Sequence, residues 1–190
     1  MGIFSGNSEK RLVGRLRSGD TSALRDLYAQ YADYLSGICS RYVPERDEMK
    51  DVFQDSFMKI IENLDRFEYR GAGSLRAWMT RIVSNESLKY LRQRKKDSWV
   101  SLEWDLPDEQ EVEDPPLDDI PPEVLHSMIG KLPTAYRTVF NLYVLEGKSH
   151  LEIAQLLGIK PDTSASNLHR AKNKLSAMIK EYLNSRKEPR

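Results

Sequence analysis

The sequence predicts an all-α protein: two small helical domains joined by a flexible acidic linker. Three observations carry this. Apolar residues recur at three- and four-residue steps through both flanks of the chain. No stretch alternates with period two for long enough to be a convincing strand. Five of the nine prolines fall at 107, 115, 116, 121 and 122, inside a run rich in carboxylates. The domain boundaries expected are 1–96 and 121–190, with 97–120 as the linker.

Net charge hides this organisation. The 190 residues carry 29 Lys+Arg and 29 Asp+Glu, so the formal charge is zero. Residues 1–96 hold 18 bases against 13 acids, and residues 124–190 hold 11 against 5. Residues 97–123 hold eleven carboxylates and no Lys or Arg. Two basic blocks around an acidic connector suit a polyanion as partner. Proline fixes φ, and like charges repel, so 97–120 reads as extended and mobile.

Several classes are excluded. No apolar run approaches the ~20 residues a membrane-spanning helix needs. The N-terminus has no long apolar core before a small-residue cleavage site, so it does not read as a secretory signal. The lone Cys39 rules out an internal disulfide and a Cys-based zinc site, and it falls on the apolar face of a predicted helix as a buried thiol. No phosphate-binding glycine loop is present, and His126, His150 and His169 stand beside no plausible acid or nucleophile. Catalytic, metal-binding and cofactor-binding residues are therefore expected to be absent.

Taking the elements in order, "TSALRDLYAQYADYLSGICSRYV" places Leu24, Leu27, Tyr28, Tyr31, Leu35, Ile38 and Tyr42 on one helical stripe, and Pro44 ends it. In "ERDEMKDVFQDSFMKIIENLDRF" a second stripe runs through Met49, Val52, Phe53, Phe57, Ile60, Ile61 and Leu64. "YRGAGS", residues 69–74, reads as a loop. Ser74 is the expected cap of a third helix with Leu75, Trp78, Met79, Ile82 and Val83 inside, running out into "KYLRQRKK".

The second domain predicts helices at 122–130, 134–146, 150–157 and 161–185. Ser149 and Glu152 form a capping box. Gly158 can end the third of these helices in the left-handed conformation, and Pro161 suits the first position of the next. This is a helix-turn-helix. Leu168, Ala171, Leu175, Met178 and Tyr182 should face the core. Thr163, Ser166, Asn167, Arg170 and Asn173 should face outward, with side chains suited to base edges and phosphates.

At these residues a family likeness emerges. "DVFQDSFMKIIENLDRF" followed by "SLRAWMTRIVSNESLKYLRQRKK" resembles the promoter-melting domain, region 2, of bacterial sigma factors of the extracytoplasmic-function (ECF) group of the sigma-70 family. "LPTAYRTVFNLYVLEGKSHLEIAQLLGIKPDTSASNLHRAKNKL" resembles their upstream-element domain, region 4. The likeness covers roughly 20–185, in the right order.

The resemblance implies a cytoplasmic protein, not an enzyme, that binds core RNA polymerase and directs promoter-specific initiation. It implies core RNA polymerase, promoter DNA and an anti-sigma factor, of a kind that can be membrane-bound, as partners. No small-molecule substrate and no membrane insertion of the chain itself follow. Asp51, Gln54, Asp55 and Lys59, spaced to share one helix face, take the polymerase-docking role. The −10 element and its melting fall to Tyr69, Arg70, Gly71, Ser74, Arg81, Asn85, Arg92, Arg94, Lys95 and Lys96. Within this set the loop 69–74 is the pocket for a displaced base, Asn85 contacts the non-template strand, and the Arg and Lys residues from 81 onward contact phosphates. Trp78 matches a family tryptophan and is expected in the core. The −35 element falls to Thr163, Ser166, Asn167, Arg170, Asn173 and Lys174. Many relatives carry a Val and two bases where Ser164, Ala165 and Asn167 stand, so phosphate anchoring there is expected to be weaker. The acidic connector is expected to enter the polymerase channel.

Other classes predict different features. A free-standing helix-turn-helix regulator would form a dimer and carry a ligand or receiver domain. A polymerase adaptor that does not read DNA would have no use for the basic face at 163–174. A metal site at Glu48, Asp51 and Asp55 fits by spacing but lacks a partner His or second acidic helix.

Overall fold

The computed structural model describes residues 6–94 and 120–187, and no strand occurs among them. The chain divides into two compact units, residues 1–93 and 94–190. Lys95, Lys96 and the connector as far as residue 119 lie outside the described residues.

The first unit contains α1 (Gly6–Arg17), α2 (Thr21–Tyr42), α3 (Arg46–Glu62), a 3-10 turn (Leu64–Arg66) and α4 (Ser74–Arg94). The start of α2 is fixed by Asp20, whose carboxylate accepts from Ser22 N–H at 2.9 Å. The guanidinium of Arg15 reaches Asp20 at 2.8 Å and Asp26 at 2.6 Å, tying the end of α1 to the first turns of α2. Leu27, Leu35, Ile60, Leu75, Met79 and Val83 are fully buried at the centre. Each contributes about 1.5–3 kcal/mol by leaving water. Cys39 is buried among them, as its position on the stripe predicts, and burial pushes its thiol up.

The sequence stripe is only partly the packed one. Val52, Ser56 and Ile60 are the buried line of α3. Ser56 donates to the Val52 carbonyl at 2.6 Å, and its small side chain lets α3 approach the core closely. Phe53 and Phe57 sit one residue further round and are half-buried, while Tyr28 on α2 is 51% exposed. Three residues expected inside therefore line the surface.

A second difference lies at α4. Ser74 does not cap it: the helix begins at Ser74 itself, whose hydroxyl donates to the Gly71 carbonyl at 2.7 Å. The first N–H groups of α4 are satisfied from another helix. Glu9 of α1 accepts from Gly73 and Leu75 N–H, each at 2.7 Å, and from Arg76 N–H at 3.3 Å. A carboxylate suits a helix N-terminus, where free donors and the dipole both favour negative charge.

The second unit contains α5 (Pro122–Lys131), α6 (Thr134–Phe140) continuing into a single π turn (Asn141–Leu145), α7 (His150–Leu157) and α8 (Pro161–Lys187). Ile120, Met128, Ile129, Leu132 and Tyr136 pack against Ala171, Leu175 and Ile179 of α8. Arg137 is buried and donates to the Gly130 and Leu132 carbonyls at 3.1 and 2.7 Å, occupying acceptors freed at the end of α5. Burial pushes its guanidinium pKa down. The capping box forms as predicted: Ser149 N–H donates to Glu152 at 2.8 Å, and Glu152 N–H donates to the Ser149 hydroxyl at 3.3 Å. Gly158 closes α7 at φ 69°.

Candidate nucleic-acid and polymerase interfaces

An open groove of about 610 Å³ lies beside the loop that enters α4. Phe67 and Trp78 make its apolar wall, with ring centroids 5.1 Å apart. Arg66, Arg70 and Arg81 line the same groove with Ser74. Trp78 is half-buried, so it faces the groove as well as the core. The loop turns through Gly71 at φ 119° and Gly73 at φ 84°, a region that side chains with a Cβ rarely adopt. Arg70 N–H donates to the Ser74 hydroxyl at 3.2 Å, and the Arg70 guanidinium pairs with exposed Glu68 at 3.1 Å. Tyr69 is half-buried. Phe67 is buried behind Trp78, so the Trp78 ring with cations at the rim offers the stacking surface and phosphate contacts.

The α4 surface continues from this groove. Arg81 and Asn85 are exposed one turn apart, followed by exposed Lys89 and Arg92 at the next turns. Arg94 is exposed at the helix end. An exposed Asn offers both a donor and an acceptor, as reading a base edge requires. Lys89 belongs to this stripe by spacing but was not singled out from sequence.

The expected docking quartet is split. Asp51, Gln54 and Asp55 are exposed on α3. Lys59 instead pairs with Glu86 of α4 at 2.6 Å, and that bond raises its pKa. Its spacing put it on the same face, but the partner arrives from a distant part of the chain. Gln54 borders a second open groove, of about 530 Å³, with Tyr28, Met49, Phe53, Phe57 and Met58. Tyr28 meets Phe57 edge-on at 5.1 Å, and Met58 is 51% exposed. Periodicity places Tyr28, Met49, Phe53 and Phe57 on core stripes and passes over Met58, so this groove is not legible from the sequence pattern.

In the second unit Ser166 is exposed, and Thr163, Arg170 and Lys174 are half-buried. Asn167 and Asn173 depart from expectation. They are only 5% and 8% exposed. Ser164, Asn167 and Ala171 form one buried line along α8. Ser164 lies 3.0 Å from Nδ1 of His150, and Asn173 lies 3.2 Å from Nε2 of His169. The exposed side of α8 carries His169 and Lys172 in place of the two asparagines.

Comparison with known proteins fits this layout. Residues 27–97 match the profile of Sigma-70 region 2, and residues 123–175 match that of Sigma-70, region 4. Between them the two profiles cover more than half of the chain. The chain belongs to the sigma-70 family. Its curated relatives place this sigma factor in the ECF group. The ECF RNA polymerase sigma factor SigW of Bacillus subtilis is 25% identical over 183 residues, covering 90% of this chain and 97% of that protein. The ECF RNA polymerase sigma-E factor of Haemophilus influenzae is 28% identical over 187 residues, covering 93% and 97%. Its Escherichia coli namesake is 28% identical over 188 residues, covering 91% and 97%. Among solved structures, CnrH in complex with the cytosolic domain of CnrY is 26% identical with a TM-score of 0.45, covering 90% of this chain and 96% of that one. RpoE of Bartonella quintana, with the anti-sigma factor NepR, is 20% identical with a TM-score of 0.48, covering 82% and 96%.

As a sigma factor, the chain binds core RNA polymerase and directs promoter-specific transcription initiation. Region 2 takes in most of α2, all of α3, the loop and α4; region 4 takes in α5 to α7 and the first half of α8. Helix α1 stands ahead of both matches.

Proposed function

We propose that this sigma factor divides its work between three surfaces. Asp51, Gln54 and Asp55, with the Tyr28–Phe57 groove beside them, dock on core polymerase. The groove at Phe67 and Trp78 captures a displaced base of the −10 element. Along α4, Arg81, Asn85, Arg92 and Arg94 then follow the separated strand, continuing into Lys95 and Lys96. The exposed side of α8, with Thr163, Ser166, Arg170 and Lys174, holds the −35 element. Tyr69, Arg70, Gly71 and Ser74 shape the capturing loop. Domain roles follow the same division: 1–96 melts, 121–190 anchors upstream, and 97–120 connects.

The observation that carries this reading is the aromatic groove with arginines at its rim, continuous with exposed Asn85. Opening DNA requires a base to leave its stack, at a cost of a few kcal/mol that a pocket for that base offsets. The protein needs no chemistry for this and acts as no enzyme. No helix among the described residues is long and apolar enough to cross a membrane. The working compartment is the cytoplasm, with polymerase. An anti-sigma factor that covers the docking surfaces would inhibit it.

Asn85→Ala tests the division of labour. It should leave polymerase affinity and −35 duplex binding unchanged while lowering permanganate reactivity of melted thymines. Unchanged thymine reactivity removes Asn85 from the site.

A further inference from the structure

We infer that Glu9 and Arg17 of α1 are positioning residues for promoter opening: α1 clamps both ends of loop 68–73 and so holds the base-capturing groove in its working shape. This rests on the function proposed above for that groove. The loop leaves the 3-10 turn at Phe67 and enters α4 at Ser74. At its first end, the Arg17 guanidinium donates to the Phe67 carbonyl. At its other end, the Glu9 carboxylate accepts from Gly73, Leu75 and Arg76 N–H. Both side chains come from one helix, eight residues and roughly 12 Å apart along its axis. Helix α1 is thus a strut that sets the distance between the two ends of the loop.

Within the loop, Ser74 accepts from Arg70 N–H and donates to the Gly71 carbonyl, bonds that tie the loop to the start of α4 and not to its Phe67 end. Gly71 and Gly73 both take positive φ, and the ion pair of Arg70 with Glu68 is exposed at both ends. A glycine-rich loop released from the strut would have to be ordered each time a base is captured, and that ordering opposes capture. Glu9 is only 3% exposed and sits at the N-terminus of α4, so its role is not solvation. Leu12 and Val13 bury α1 in the core independently of either clamp. The clamp can therefore be cut while the helix stays docked. Neither family profile reaches α1.

The test uses the full chain bound to core polymerase on a promoter that the parent opens. Glu9→Gln sets an amide NH2 against a backbone N–H that a carboxylate oxygen now accepts from. Arg17→Met keeps the stem and removes the donors. Each should keep a cooperative melt and the parent's polymerase and −35 duplex affinities, and Glu9→Gln should lower the melting temperature by a few degrees, about the cost of one buried hydrogen bond. Each should lower thymine reactivity to permanganate about tenfold, the scale of one lost hydrogen bond to a charged group. The double variant should be little worse than either single one, because a loop freed at one end is already loose. Run-off yield should return on a template mismatched across the −10 element, where no unstacking remains to be offset. Parental thymine reactivity in the variants overturns the inference. A loss that persists on the mismatched template also overturns it, since that defect lies in folding or docking. If Glu9→Gln fails to fold, Arg17→Met, altered at the surface, decides by the same two readouts. A parent that opens no promoter overturns the proposed function of the groove, and this inference falls with it.

Discussion

Asp20 accepts from both the backbone N–H and the hydroxyl of Ser22 and pairs with Arg15. The Ser22 hydroxyl first, then Arg15, lower its carboxyl from the ordinary 3.8 to about 2. A carboxyl whose folded pKa is depressed stabilises the fold above its ordinary value and loses that contribution as pH falls through the folded value. Asp20→Asn should therefore destabilise the chain most above pH 3.8, and the difference from the parent should disappear as pH approaches about 2. Thermal melts across that window check it; a constant difference would remove the α1–α2 corner as the source. At α8, Arg170→Ala should weaken −35 binding and reduce the salt slope by about one if it neutralises one phosphate. Asn167→Ala should leave base preference unchanged, because the side chain is only 5% exposed; a shifted preference matrix would contradict that placement. Asn167 looks outward in the sequence because it and Ser164 are both polar, and the burial of that line is set by tertiary packing alone. Glu9 was invisible for a different reason. Its partners lie more than sixty residues away, beyond any local capping pattern.

At the scale of elements, periodicity located α2 to α8 because each must bury a stripe, and the local end signals of α7 and α8 needed no tertiary information. The capping box at Ser149, Gly158 and Pro161 all act within a few residues of one helix end. The π turn at Asn141–Leu145 leaves no such mark, and periodicity predicts one unbroken helix over 134–146. The aromatic groove on α2 and α3 was hidden by the width of the stripe, since Val52 and Phe53 are both apolar and only one can lie against the core. Exposed aromatics in a concave surface commonly carry binding energy. Tyr28→Ser should weaken polymerase binding roughly tenfold or more, the effect of removing an aromatic anchor. Its melting temperature should stay close to the parent's because the ring is 51% exposed. Equilibrium binding to core polymerase together with a thermal melt separates the two. A large fall in melting temperature with unchanged binding would return Tyr28 to the core.

Across the whole molecule, the charge pattern of two basic blocks and an acidic connector follows from composition alone. The connector's place in the polymerase channel lies outside the described residues and stays a proposal. Replacing Asp108, Glu109, Glu111, Glu113, Asp114, Asp118 and Asp119 with their amides takes the formal charge from 0 to +7. Non-specific DNA binding should rise. Polymerase affinity should fall in a salt-sensitive way if the connector occupies a basic channel, and an unchanged dissociation constant across ionic strengths would leave it a spacer.

This chain gives core RNA polymerase a choice of start site, and in the proposed division region 2 opens the DNA that region 4 helps to locate. Run-off transcription with purified core polymerase over a library of genomic fragments tests it most directly. Discrete transcripts should appear from a small set of fragments and be absent with core alone. No specific transcript from any fragment, together with failure of the chain to co-purify with core polymerase, would contradict it.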